Sequence, residues 1–145
     1  DQGTGNAQIA QCEERARCAM KVGIVDVDSH RWPNLCLMKL SAWHKAQGDT
    51  VEWWKPAGWY DLVYKSRVFT DTYSRDRIIV SNAAQVIRGG TGYGPGPDLP
   101  DEVEHIYPDY SIYPQFPDTA YGFLTRGCPR SCPFASYRGR RGGTA

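Results

Sequence analysis

Three groups of residues have types and spacings that could support chemistry. The first is Asp26, Asp28 and His30, just past the apolar run that begins at Val22. Alternate residues of an extended chain share one face, so two carboxylates and an imidazole would converge. Such a donor set suits a divalent metal whose bound water is the nucleophile of a small hydrolase. The structural alternative is that the two aspartates accept loop N–H groups and cap the next helix. The second group is Gly89-Gly90-Thr91-Gly92. Glycines at a strand end let backbone N–H groups approach a phosphate or cofactor edge, but Pro95 and Pro97 follow where a dinucleotide fingerprint needs a helix, and no P-loop lysine is present. A tight turn is the plainer reading. The third group is the thiol pair Cys128 and Cys132, suited to soft metal ions or to a mutual disulfide.

These residues need a scaffold, and the pattern between them supplies one. Val22–Val27 is a β-branched run of the kind found in buried parallel strands. Pro33 opens a helix whose apolar residues continue to Gln47, and Gly48 stops it. Further strands are expected at Thr50–Trp54, Asp61–Ser66, Gln85–Arg88, Tyr110–Tyr113 and Ala120–Leu124. Ile78–Val80 reads as a strand end or a short helix, and Asp101–Ile106 as one or two helical turns. The implied fold class is α/β, an open, mostly parallel sheet with flanking helices, like flavodoxin or a cobalamin-binding domain. Functional loops of such a sheet lie at the carboxyl ends of its strands. That places Asp28, His30, Ser66, Thr70, Gly89, Gly90, Thr91 and Gly92 around one ligand-binding edge.

Other chemistry-bearing residues have plainer expectations. His44 reads as a surface or half-buried helix residue and His105 as part of a solvated acidic stretch. Trp53, Trp54, Trp59 and Tyr60 form either a stacking surface for a planar ligand or packing at a sheet edge. No Gly-x-Ser-x-Gly is present, so a serine-hydrolase elbow is not indicated.

Bulk properties narrow the partners. A net charge of +1 gives no electrostatic case for nucleic acid. No apolar run approaches the roughly 20 residues needed to span a membrane. Five cysteines, an odd and unevenly spread number, do not make a disulfide framework and suit a reducing cytoplasm. Residues 1–19 are polar and read as a non-native or flexible extension, or as a helix over Ala7–Ala19, before a domain that starts at Met20.

The residues around the thiols carry a family resemblance. Ala120-Tyr-Gly-Phe-Leu-Thr-Arg-Gly-Cys-Pro-Arg-Ser-Cys-Pro-Phe134 resembles the segment of radical S-adenosylmethionine (radical SAM) enzymes that ends the first barrel strand and enters the Cys-x3-Cys-x2-Cys loop. Val-Gly-Ile-Val-Asp-Val-Asp at 22–28, Ile-Arg-Gly-Gly-Thr-Gly-Tyr at 87–93 and the run from Leu99 to Ser111 are similar to the accessory region before it. The resemblance implies that residues 20–118 are a cobalamin-binding-like accessory domain and that 119–134 are the start of the barrel. It also implies a 4Fe-4S cluster and S-adenosylmethionine as family cofactors, with Cys128 and Cys132 as cluster ligands. The third ligand position falls on Ala135, so the chain as written is expected to carry no cofactor and to be incapable of radical chemistry. Asp28-Ser-His30-Arg-Trp-Pro33 resembles the Asp-x-His-x-x-Gly loop of cobalamin proteins, with Pro33 at the glycine position.

The tail has a specific expected origin. Ala135-Ser-Tyr-Arg138 can be encoded GCA TCG TAT CGG. One T restored in front gives TGC ATC GTA TCG, Cys-Ile-Val-Ser, the usual continuation of the motif. Residues 135–145 are therefore expected to be an out-of-frame, disordered tail. The expected function is a truncated accessory domain that binds a small ligand at its strand ends. The alternatives are the metal-dependent hydrolase using Asp26, Asp28 and His30, and a self-associating interaction module. A homo-oligomer is expected through residues 116–126, because an apolar strand at Ala120–Leu124 would leave one edge unpaired.

Overall fold

The computed structural model describes residues 18–28, 31–94, 96 and 98–122. Its core is a four-stranded, wholly parallel sheet in the order β2-β1-β3-β4, formed by β1 (Lys21–Asp26), β2 (Thr50–Trp53), β3 (Tyr60–Ser66) and β4 (Ala83–Gly89). This is the open α/β sheet that the β-branched runs imply, and it begins like the flavodoxin-like order. Val22, Ile24, Val25 and Val63 are buried in the two central strands.

Helix α1 (Leu35–Ala46) lies on one face of the sheet. It starts one residue beyond the Pro33–Asn34 pair, because Asn34 is its N-cap: the side-chain oxygen accepts the Leu37 N–H at 3.2 Å. Gly48, at φ +86°, follows the helix end in the left-handed conformation that glycine adopts freely. On this face Leu37 and Met38 pack with Ile24, Ile112 and Tyr113.

The opposite face has no helix among the described residues. A strap without regular structure, residues 67–82, returns over it, and Ile78 and Val80 pack on Val25, Tyr60 and Val63. The Ile78–Val80 segment is therefore neither strand nor helix.

The second half of the chain departs from expectation. Tyr110–Tyr113 is not a strand: Tyr110–Ile112 is a turn of 3-10 helix. Asp109 accepts the Ser111 N–H at 3.0 Å and curls the chain, while its own N–H bonds to Met38 O at 3.0 Å, so the segment docks on α1 rather than on a sheet edge. Helix α2 is the single turn Asp101–Glu104. Ala120–Gly122 add no strand, because the Tyr121 N–H and C=O both bond to the Tyr110 hydroxyl. Phe123 and Leu124 lie outside the described residues, as do residues 1–17 of the expected extension, the cysteine loop up to residue 134 and the expected tail at 135–145. Among the described residues no helix is long and apolar enough to cross a membrane.

Candidate functional site

The order β2-β1-β3 makes the carboxyl ends of β1 and β3 a topological switch point, where open parallel sheets bind ligands. Asp26 ends β1 and Ser66 ends β3, and the two are paired in register. Both are buried. Asp26 Oδ2 accepts the Tyr113 hydroxyl at 2.7 Å and Oδ1 accepts the Asp28 N–H at 3.2 Å. The Ser66 hydroxyl accepts the Asn34 side-chain amide at 2.8 Å. Burial, reinforced by the Asp26 carboxylate, pushes the Tyr113 hydroxyl well above its ordinary pKa. It therefore acts as a neutral donor and not as a base. Two side chains of the chain itself reach these groups, Tyr113 from the C-terminal side and Asn34 from the helix start.

Asp28 lies at the same edge in a different role. Its two oxygens accept the Val68 N–H at 2.6 Å and the Phe69 N–H at 3.2 Å, so the carboxylate fastens the start of the strap. Thr70 is exposed, and its carbonyl accepts the N–H groups of Tyr73 and Ser74. Of the triad proposed for a metal, Asp26 and Asp28 are brought together at one edge, whereas His30 lies outside the described residues. Among the described residues no group of three His, Cys, Asp or Glu side chains is placed to hold a metal.

The glycine run belongs to a backbone contact. Gly89 O accepts the Arg67 N–H at 3.0 Å, and the Gly92 N–H bonds to Arg67 O at 2.9 Å. The Thr91 hydroxyl donates to Val68 O at 2.8 Å. A Cβ on Gly90, whose φ is +98°, would sit 2.2 Å from Arg67 O; one on Gly92 would sit 2.3 Å from Phe69 O. Both glycines allow two strand-end loops to touch.

Beside this contact lies a charged network that the sequence reading missed. Lys65 is 3% exposed and points into the strap face. Its ammonium donates to both oxygens of Asp76, at 2.7 and 2.6 Å, and to Ile78 O. The Tyr93 hydroxyl also donates to Asp76, at 2.6 Å. Burial alone would raise the Asp76 carboxyl, but the hydrogen bonds from Lys65 and Tyr93 outweigh it and hold the pKa below its ordinary value. The Arg67 guanidinium stacks 4.4 Å from the Tyr93 ring centre and pairs with Asp71. The signal for this network was Lys65 itself, a charge inside an apolar strand. Nothing comparable marked Tyr113.

His44 differs from expectation: it is 1% exposed, with Nδ1 2.7 Å from Asp49 Oδ2 and Nε2 3.0 Å from the Tyr64 hydroxyl. His105 is exposed at the end of α2. Trp53 and Trp54 are half-buried and satisfied, donating to Ile112 O and Asn82 Oδ1, while Trp59 is exposed. The first two are therefore packing residues.

The residues expected from the resemblance to hold cofactors are placed as follows. Cys128, Cys132 and Ala135 lie outside the described residues, and the third of these positions has no ligand atom. For cobalamin, Pro33 replaces the glycine of the loop and both Asp28 oxygens already hold backbone N–H groups. No family model, curated protein or solved structure matches this chain.

Proposed function

We propose that this chain is the accessory α/β domain of a radical SAM-type protein, and that its task is to seat the segment entering the cysteine motif rather than to perform chemistry. The parallel order β2-β1-β3-β4 supports the reading, since cobalamin-binding-like domains are open parallel sheets. One observation carries it furthest: the Tyr113 hydroxyl bonds to buried Asp26 at the switch point. The segment leading towards Cys128 reaches the switch point through this bond, and Tyr110 then holds Tyr121 a few residues before the motif. With only two thiolates at the three cluster positions, no radical step is assigned to the chain.

The nucleotide sequence of the gene tests the radical SAM assignment. Read one base out of frame from codon 135, it should give Cys-Ile-Val followed by alternating strand and helix patterns of a barrel. A gene with no such sequence in the neighbouring frames would overturn the assignment.

A further inference from the structure

Not every charge on the strap is spent on holding it. Lys65 pairs with Asp76 and Arg67 with Asp71, which uses both carboxylates of residues 67–82. Arg75 and Arg77 remain. Both are exposed, and among the described residues neither makes a hydrogen bond or an ion pair.

Their direction follows from the residues between and after them. Asp76 turns towards the sheet, where it accepts the Lys65 ammonium and the Tyr93 hydroxyl, and Ile78 and Val80 pack on Val25, Tyr60 and Val63. Successive residues of an extended chain point to opposite sides. Anchoring 76, 78 and 80 inward therefore turns Arg75, Arg77 and Ile79 outward, and all three are exposed. The two guanidiniums are placed on one side by anchors that do not involve them.

They border a recess at the carboxyl end of β1. An open pocket of about 510 Å³ is lined there by Val27 and Asp28, which follow the strand, and by residues 72–75 and Arg77 of the strap. The Ser74 hydroxyl donates to Val27 O at 3.4 Å and joins the two parts of the lining. The size suits a small molecule, and the strand ends of an open parallel sheet are where such molecules bind.

Charge decides the class of ligand. Two guanidiniums border the pocket with one carboxylate, Asp28, whose oxygens already accept the Val68 and Phe69 N–H groups. An anion is favoured, and the planar fork of a guanidinium matches the oxygens of a phosphoryl group. Tyr73, in the same lining, is 84% exposed and offers a ring face to a planar group.

We propose that this pocket binds a phosphorylated small molecule with a planar ring, its phosphoryl group held by Arg75 and Arg77 and its ring against Tyr73. Tyr113 reaches Asp26 from the helix-covered face, so the site is separate from the contact that carries the proposed function and does not depend on it.

Isothermal titration calorimetry of the full chain with adenosine monophosphate, inorganic phosphate and adenosine tests the site. Adenosine monophosphate should bind tightest. Inorganic phosphate lacks the ring and should bind several-fold more weakly. Adenosine lacks the group that takes charge-assisted hydrogen bonds and should bind roughly ten-fold more weakly. Arg75→Gln and Arg77→Gln should each weaken adenosine monophosphate several-fold, and the double variant should abolish its signal. The unfolding midpoint should not move, since the fold uses neither side chain. Tyr73→Ala should weaken adenosine monophosphate and leave inorganic phosphate unchanged. Arg88→Gln, at an exposed cation outside the lining, should change nothing. No binding of adenosine monophosphate at millimolar concentration overturns the proposal. So does adenosine or inorganic phosphate bound as tightly as the monophosphate, or binding that the double variant retains. An Arg88→Gln effect as large as those at 75 and 77 overturns it as well, because general charge and not this pocket then attracts the anion.

Discussion

On one face of the sheet, Ile24, Leu37 and Met38 meet Ile112 and Tyr113 under a twelve-residue helix. On the other, Val25, Tyr60 and Val63 lie beneath a strap with no regular structure. The helical face is held by apolar packing over a capped element, with the ion pairs Lys39–Glu104 and Lys45–Asp109 at its rim. The strap has no internal hydrogen-bond ladder to organise it, and besides the packing of Ile78 and Val80 its anchors are electrostatic: Asp28 at its start, Arg67 with Asp71, and Lys65 with Asp76 in its middle. An irregular segment can cover a sheet when charged groups fix its path. The covering is then sensitive to the loss of single charges.

The largest expected effect follows from that sensitivity. Lys65→Ala leaves Asp76 partly buried without its ammonium partner, and breaking such a pair costs about 3–5 kcal/mol. Replacing both partners with apolar residues, Lys65→Met with Asp76→Leu, should recover most of the loss. Chemical denaturation of the single and double variants checks this. If the double variant is no better than the single, the strap is not held through this pair.

Met38→Ala is the matching perturbation on the helical face. Met38 is 0% exposed, and truncating a buried side chain of this size costs about 2–5 kcal/mol. The two faces should respond differently to salt. Added salt should change the stability of Met38→Ala and wild type in parallel, whereas the gap between Lys65→Ala and wild type should narrow, by a modest amount because the pair is buried. Equal salt responses in urea melts would erase the distinction between the faces.

Tyr113→Phe comes next. It removes the donor to buried Asp26 and should cost about 1–3 kcal/mol by calorimetry. A neutral result would mean that the segment is not held at the switch point by this bond.

The smallest effect concerns Asp109, which fixes the 3-10 turn to α1 through Ser41 and Lys45. Burial acts to raise its carboxyl, but hydrogen bonds from Lys45, Ser111 and Ser41 prevail and lower it from 3.8 to about 2. A depressed carboxyl stabilises the fold above its unfolded pKa. This contribution is complete above pH 3.8, falls as the pH drops, and is gone below about 2. Acid titration of wild type against Asp109→Asn should show a stability gap that closes over that interval. A gap independent of pH would contradict the assignment.

The sheet and its first helix were legible because their signals are local. Val22–Val27 and Leu62–Tyr64 are apolar runs, and Gly48 ends α1 as a helix-stopping glycine, whereas the cap is Asn34 and not Asp26 or Asp28. The region after β4 was not, because its structure is fixed by distant partners. The residues at 110–113 look strand-like in isolation, yet Asp109 turns them and Met38 receives them, across a gap of about seventy residues. The candidate site was half legible. Asp26, Asp28, Ser66 and the glycines do gather at the strand ends, as a parallel sheet requires. Their engagement by Tyr113, Asn34 and the Val68 and Phe69 amides depends on chain paths that no periodicity encodes.

The central claim is that the segment approaching the cysteine motif is seated on the strand ends through Tyr113. Amide hydrogen exchange, resolved by peptide and compared between wild type and Tyr113→Phe, tests it most directly. In the wild type, amides of residues 109–116 should be protected alongside β1 and α1. In Tyr113→Phe that protection should fall while β3 and β4 keep theirs. Exchange of 109–116 at the rate of an unstructured peptide in the wild type, or uniform loss across the whole sheet in the variant, would contradict the account.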